Sequence, residues 1–127
     1  MALIFLNGGG MAGGPLHGNL RGAPLVREAW SAPKYRYYSV GDRFPAMVEV
    51  ASGGHAVKGE VYELSLETLR DVFLPEEPPE LELGVIELDD GTGCLATVLR
   101  REFAGSTELR DISEIGDWRA YLSRADR

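Results

Sequence analysis

The chain has 127 residues, which is enough for a single domain over 1–127 with one modest hydrophobic core. A hydrophobic fraction of 44% excludes an intrinsically disordered chain, and a formal net charge of −7 opposes binding to nucleic acid or to an anionic membrane. The single cysteine excludes an internal disulfide and the C-x-x-C metal and redox motifs, so we expect a cytoplasmic protein.

The first half of the chain predicts five strands. Segments rich in β-branched, aromatic and other apolar residues alternate with turn signals, at 2–7, 25–30, 35–40, 44–50 and 56–64. Pro45, near the start of the fourth segment, predicts an edge strand or an entry position, because proline cannot donate to a sheet ladder. Gly59, inside the fifth segment, predicts a bulge or a close backbone approach.

The second half predicts two helices and a hairpin. Residues 65–73 carry apolar side chains at helical spacing, with Ser65 as N-cap, and Pro75 ends that helix. Residues 75–84 predict an irregular segment, and 85–88 and 94–103 predict a hairpin around Asp89-Asp90-Gly91. Residues 113–124 predict a terminal helix. About seven strands and two helices without βα alternation indicate an α+β fold on a small curved or closed sheet.

The stretch LNGGGMAGG, directly after the first strand, predicts a binding loop. Gly8, Gly10 and Gly13 satisfy G-x-G-x-x-G, but Gly13-Gly14-Pro15 interrupts the helix that a dinucleotide site needs, and no Gly-Lys-Ser/Thr follows. A plain flexible turn is the alternative. Five glycines between 8 and 14 favour backbone N–H groups that approach a small carboxylate or oxyanion.

Several motifs follow one another across nearly the whole chain. They are the glycine loop with Gly14-Pro15-Leu16 and Leu20; Ala32-Pro33-Lys34-Tyr35-Arg36-Tyr37-Tyr38; Gly59-Glu60-Val61-Tyr62-Glu63-Leu64; Leu83-Gly84-Val85-Ile86-Glu87-Leu88; Asp111-Ile112-Ser113; and Gly116-Asp117-Trp118-Arg119-Ala120-Tyr121-Leu122. In this order they resemble the C-terminal domain of allophanate hydrolases, which belongs to the γ-glutamylcyclotransferase-like superfamily.

The resemblance implies a small mixed β-barrel with short flanking helices and a pocket at one end, where the glycine loop supplies backbone donors. In full-length enzymes of this family the domain follows an amidase domain and removes CO₂ from the amidase product, N-carboxycarbamate. This chain has no room for amidase machinery, so the resemblance implies action alone or beside a separate amidase. The family's Asn and Gln after Pro-Leu are His17 and Asn19 here, which alters an expected pocket residue.

A decarboxylase needs donors for the carboxylate that stays, an apolar place for the one that leaves, and a proton source. The candidate substrate-binding residues are Asn7, Gly8, Gly9, Gly10, Met11, Leu16, Lys34, Tyr35 and Arg36. His17 is a candidate proton donor near neutral pH. Glu60 is either a pocket residue or half of a structural ion pair. Lys34 and Arg36 are alternatively exposed strand charges, and Tyr35 a core residue.

Two other functions stay open. Cyclotransferases of the superfamily place a general-base glutamate just after an L-x-x-L helix, which implies a catalytic role at or next to Glu76, in a loop with three further glutamates. Where they have Tyr-Gly-Ser/Thr after the first strand, this chain has Leu6-Asn7-Gly8-Gly9. A non-catalytic scaffold for a separate amidase is the third reading. No metal or cofactor is expected, because His17 and His55 have no metal-ligand spacing; the oligomeric state is open.

Overall fold

The computed structural model describes residues 1–125, which form eight strands and two helices joined by short turns. The strands are β1 (Ala2–Leu6), β2 (Leu25–Trp30), β3 (Tyr35–Val40), β4 (Phe44–Glu49), β5 (Lys58–Leu64), β6 (Leu81–Glu87), β7 (Gly93–Leu99) and β8 (Leu109–Asp111). Two 3-10 turns, His17–Leu20 and Arg101–Phe103, follow β1 and β7.

Helix α1 (Leu66–Thr68) is short and changes its winding. Ser65 caps it as expected, since the Thr68 N–H donates to the Ser65 hydroxyl oxygen at 3.0 Å. The chain continues as a π-helical segment, Leu69–Phe73, and a 3-10 turn, Leu74–Glu76. Helix α2 (Trp118–Ala125) is the second helix. Over residues 1–125, every helix is too short or too polar to cross a membrane.

The strands lie in two sheets. The larger has the order β2-β5-β1-β7-β6 and is mixed, because β1 pairs antiparallel with β5 and parallel with β7. The smaller has the order β4-β3-β8. A shared core joins them, with Phe5 of β1, Tyr37 of β3, Met47 of β4 and Phe73 of the π-helical segment almost fully buried. The expected α+β fold is confirmed, with its strands in two sheets instead of one closed barrel.

Local backbone expectations are also confirmed. Pro45 lies on β4, an edge strand of the smaller sheet. At Gly59 a Cβ atom would stand 2.4 Å from the carbonyl oxygen of Leu6, so the close approach is real and only glycine fits. Gly59 lets β5 pack tightly against β1, the strand that leads into the glycine loop.

Three predicted bounds are wrong. Residues 113–117 lie in a turn before α2 instead of in the terminal helix, and residues 101–103 form a 3-10 turn instead of the end of a strand. Residues 81–84 belong to β6 instead of an irregular segment. Leu81 is buried and pairs with Leu99 across the β6–β7 hairpin. Tertiary pairing therefore extends the hairpin into a proline- and glutamate-rich stretch of weak β-propensity. The sequence also gave no signal for β8, whose three residues join the smaller sheet through β3.

Candidate functional site

A small cavity of about 50 Å³ lies at the end of β1, against the glycine loop. The loop, the start of β4, the end of the π-helical segment, residues 77–78, and strands β6 and β7 close around it. The lining residues are Leu6, Asn7, Gly8, Gly9, Gly10, Leu16, Phe44, Pro45, Phe73, Glu77, Pro78, Leu81 and Thr97. The cavity has room for only a few non-hydrogen atoms, which fits a carboxylate-sized group.

Gly8, Gly9 and Gly10 of the glycine loop line this cavity. Its turns are closed by hydrogen bonds from the Met11 N–H to the Gly8 oxygen and from the Leu16 N–H to the Gly9 oxygen, at 3.1 and 2.9 Å. Within residues 1–125, the N–H groups of Gly8, Gly9 and Gly10 donate to no protein acceptor.

Asn7 fixes the point where the loop leaves β1. Its carbonyl oxygen and its side-chain Oδ1 accept hydrogen bonds from the Tyr37 hydroxyl at 2.9 and 3.1 Å. Tyr37 is fully buried in the core. The loop therefore starts from a rigid position, and Asn7 has a structural contact besides its place in the cavity lining.

Glu77 is the only ionisable side chain among the residues that line the cavity, as far as the described part of the chain goes. It follows the 3-10 turn, with its N–H donating to the Leu74 oxygen at 3.1 Å. Burial raises the pKa of the Glu77 carboxyl group above its ordinary value of 4.5, and a hydrogen bond with the Thr97 side chain partly offsets this. The resemblance to the superfamily's cyclotransferases had implied a position at or next to Glu76.

Glu76 itself is exposed and does not line the cavity. The π-helical segment Leu69–Phe73 explains why counting from Leu69 was not sufficient. A π-helical turn holds more residues than an α-helical turn, so helical periodicity does not give the direction of the residues that follow. Only the three-dimensional structure places Glu77, and not its neighbour, beside the loop.

An outer cleft of about 230 Å³ adjoins the cavity and shares Glu77, Pro78, Leu81 and Thr97 with it. Arg100 lines this cleft. Its Nε donates to the Pro79 oxygen at 2.9 Å, and its Nη1 lies 3.3 Å from a Glu82 carboxylate oxygen. Arg100 thus lines the cleft as one member of an ion pair with Glu82.

His17 and Glu60 contact the loop but do not line the cavity. The His17 Nδ1 atom is 2.9 Å from the Gly10 oxygen, and its ring contacts the edge of the Tyr62 ring at 5.5 Å between centroids. Glu60 is 5% exposed and bonds to the loop at Ala12. Both side chains therefore contact the loop without lining the cavity.

The remaining predicted residues do not meet at this cavity. Met11 is buried in the core. Lys34 pairs with Glu87 at 2.8 Å, and the Tyr35 hydroxyl accepts the Glu87 N–H at 2.8 Å. Arg36 pairs with Asp111. Lys34, just before β3, and Arg36, on β3, are thus both ion-paired, and Tyr35 is a core residue. Over residues 1–125 there is no group of three or more His, Cys, Asp or Glu side chains placed to hold a metal ion.

Comparison with known proteins gives the family. The model of the allophanate hydrolase C-terminal domain matches residues 2–123. The chain belongs to this family. A uropathogenic E. coli-specific protein of known structure shares 34% identity and a TM-score of 0.89, covering 96% of this chain and 95% of its own. None of the curated proteins compared with the chain matches it.

Two more distant structures place the domain in a wider context. An S177A allophanate hydrolase from Kluyveromyces lactis shares 21% identity and a TM-score of 0.89, and the match covers 98% of this chain but 21% of that one. An AIG2-like protein from Mus musculus shares 22% identity and a TM-score of 0.67, covering 83% of this chain and 80% of its own. The fold is therefore of the γ-glutamylcyclotransferase-like α+β type, and in the K. lactis allophanate hydrolase the matching part is about a fifth of the chain.

Proposed function

We propose that this chain removes CO₂ from a small N-carboxylated amide or carbamate, with N-carboxycarbamate as the model substrate. One observation carries the proposal: three free backbone N–H groups and one carboxyl group of raised pKa line the same small, mainly apolar cavity. The first set binds a carboxylate, and the second supplies a proton. Membership of the allophanate hydrolase C-terminal family supports this choice of substrate.

The reaction breaks one C–N bond of the substrate. In our proposal the N–H groups of Gly8, Gly9 and Gly10 hold the carboxylate that remains. The other carboxylate leaves as CO₂, its electron pair passes to nitrogen, and the protonated Glu77 carboxyl group donates a proton to that nitrogen. The products are CO₂ and carbamate, and solvent returns the proton to Glu77. Apolar neighbours such as Phe73 and Leu81 favour a carboxylate that loses its charge.

The test uses the purified chain and a separate amidase that generates ¹³C-labelled N-carboxycarbamate from labelled allophanate. Carbon-13 NMR follows the lifetime of N-carboxycarbamate with and without the chain. A lifetime that shortens in proportion to the concentration of the chain supports the proposal. A lifetime equal to that of the amidase alone, at concentrations where the chain is folded, rejects it.

The pH dependence separates an acid role of Glu77 from a base role. Because its pKa is raised above 4.5, an acid role predicts kcat/KM that is level at low pH and falls about tenfold per pH unit above the pKa. A base role predicts the opposite slope over the same range. We expect the falling profile, measured in overlapping buffers at constant ionic strength. A rising profile contradicts decarboxylation through a protonated Glu77.

Cyclotransfer is the second candidate, because Glu77 lies beside the loop and just after the Leu74–Glu76 3-10 turn that follows α1 and the π-helical segment. The superfamily's general base is expected at this place. An ionised Glu77 would take a proton from the α-amino group of a γ-glutamyl amine, which then attacks its own γ-carbonyl. The assay is release of 5-oxoproline from a γ-glutamyl dipeptide. No release at any pH between 5 and 9 rejects this candidate, and release together with a rising pH profile would displace decarboxylation.

We infer that a separate amidase is the partner of this chain, since the domain matches 21% of the length of the K. lactis allophanate hydrolase. The single cysteine and the negative charge support a cytoplasmic site of action. Co-purification with an amidase together with faster loss of N-carboxycarbamate supports a catalytic partner. A stable complex in which the chain changes no rate supports a scaffold instead.

Arg100 is expected to raise the affinity for anionic substrates without taking part in chemistry. Arg100→Gln should raise KM about two- to fivefold with kcat retained, the range of a partly exposed charge. The difference should fade as salt rises toward 0.5 M, because exposed charges are screened. Arg101→Gln is the matched control, since Arg101 is exposed and lines neither cavity. Equal effects of the two variants contradict a specific role.

A further inference from the structure

Glu60 is a buried carboxylate in strand β5. It lies on β5 opposite Leu6, the last residue of β1 before the glycine loop, and only 5% of it is exposed. Burying a charge is unfavourable unless partners compensate it. The partners of Glu60 therefore show what this carboxylate does.

Three donors converge on Glu60. The Ala12 N–H and the Tyr62 hydroxyl each donate to Oε1 at 2.8 Å, and Arg119 Nη2 lies 3.3 Å from Oε2. Glu60 and Tyr62 share one face of β5, because they are two residues apart in a strand. Burial raises the pKa of Glu60, but these hydrogen bonds and the charge of Arg119 outweigh it, so the pKa is lowered overall. The carboxylate is held in its charged form.

Arg119 and Glu60 together bind both backbone polar groups of one loop residue, Ala12. Besides pairing with Glu60, Arg119 Nη2 donates to the carbonyl oxygen of Ala12. The N–H and the C=O of Ala12 are thus held by the two members of one ion pair, one from β5 and one from helix α2. This fixes the loop two residues after Gly10, whose own oxygen contacts His17.

We propose that the Glu60–Arg119 pair is a positioning device: it holds the back of the glycine loop so that the Gly8, Gly9 and Gly10 N–H groups stay aimed at a bound carboxylate. Neither side chain lines the cavity, so neither is assigned a catalytic step. The inference rests on the proposed function only in that the loop binds an anion. A loop ordered before binding loses less conformational entropy when the anion arrives.

The test compares Glu60→Gln and Arg119→Gln with Glu63→Gln, which removes the same charge from the same strand without a contact to the loop in the described residues. Each purified variant is measured for amide hydrogen exchange over residues 7–14, for malonate affinity by calorimetry, and for melting temperature. Turnover of N-carboxycarbamate is measured where wild type shows it.

We expect exchange over 7–14 to accelerate at least tenfold in Glu60→Gln and Arg119→Gln and to stay unchanged in Glu63→Gln. The Kd for malonate should rise about tenfold in the same two variants, and KM should rise with it while kcat per folded molecule stays within about threefold. A fall in melting temperature with unchanged exchange of the loop relative to the core would show a purely structural pair and overturn the inference.

The outcomes keep this inference separate from the proposed reaction. Malonate binding that depends on Glu60, in a chain without turnover, supports the positioning pair and rejects the decarboxylase. If wild type binds no malonate, exchange over 7–14 still decides: faster exchange in Glu60→Gln and Arg119→Gln supports the inference, and exchange equal to that of Glu63→Gln overturns it.

Discussion

Glu77→Gln is expected to lower the rate of N-carboxycarbamate decarboxylation by about 10²- to 10⁴-fold, the usual contribution of a general acid. The amide has nearly the same shape as the carboxyl group but has no acidic proton to give to the substrate nitrogen. The Gly8, Gly9 and Gly10 N–H groups are untouched, so malonate affinity should change little. Steady-state turnover by carbon-13 NMR and malonate calorimetry measure the two effects on the same protein.

Glu76→Gln is the matched control for this experiment. It makes the same chemical change one residue earlier, at an exposed side chain outside the cavity lining. We expect wild-type turnover from it. Wild-type turnover from Glu77→Gln would show that this carboxyl group takes no part in the mechanism. A large loss of turnover from Glu76→Gln would show that Glu76, and not Glu77, is the proton source.

Most of the fold could be predicted from the sequence because strand patterns and turn signals are local. Strands β2 and β3 were bounded correctly, and Pro45 and Gly59 announced an edge strand and a close approach. The first four residues of β6, 81–84, were expected to be irregular. Their pairing with β7 outweighs the weak β-propensity of this stretch. Which strands share a sheet is not a local property, so one closed barrel was expected where two sheets occur.

Only the glycine loop of the site could be predicted, because local sequence patterns do not show which distant residues lie beside it. The glycine loop could be recognised from the sequence, because a cluster of glycines indicates that the backbone must approach another group closely. Which distant side chains meet the loop is not a local property of the sequence. His17 and Glu60 contact the loop outside the cavity lining, and Lys34 and Arg36 are ion-paired elsewhere. Glu76 ends the 3-10 turn and Glu77 follows it in extended conformation, a change of direction that the sequence does not reveal.

The second large effect is expected at Gly9. A Cβ at Gly9 meets only ordinary contacts, 3.5 Å from Pro15 and 3.7 Å from Leu16, and the backbone there is not in a left-handed conformation. The neighbours differ: a Cβ at Gly8 would stand 2.7 Å from Pro45, and one at Gly14 would stand 2.2 Å from the Gly9 oxygen. Gly9 is therefore the loop position where a side chain obstructs the cavity with least damage to the fold.

Gly9→Val should weaken malonate binding by roughly 10- to 150-fold, which corresponds to losing one hydrogen bond to a charged group, about 1.5–3 kcal/mol. The melting temperature should fall by only a few degrees. Gly18→Val is the control, because Gly18 is exposed and a Cβ there meets no atom within 4 Å. Calorimetry and thermal melting measure both variants. Since the cavity holds so few atoms, a valine at Gly9 that leaves malonate affinity at the wild-type value would place the anion outside this cavity and take Glu77 out of reach of the substrate.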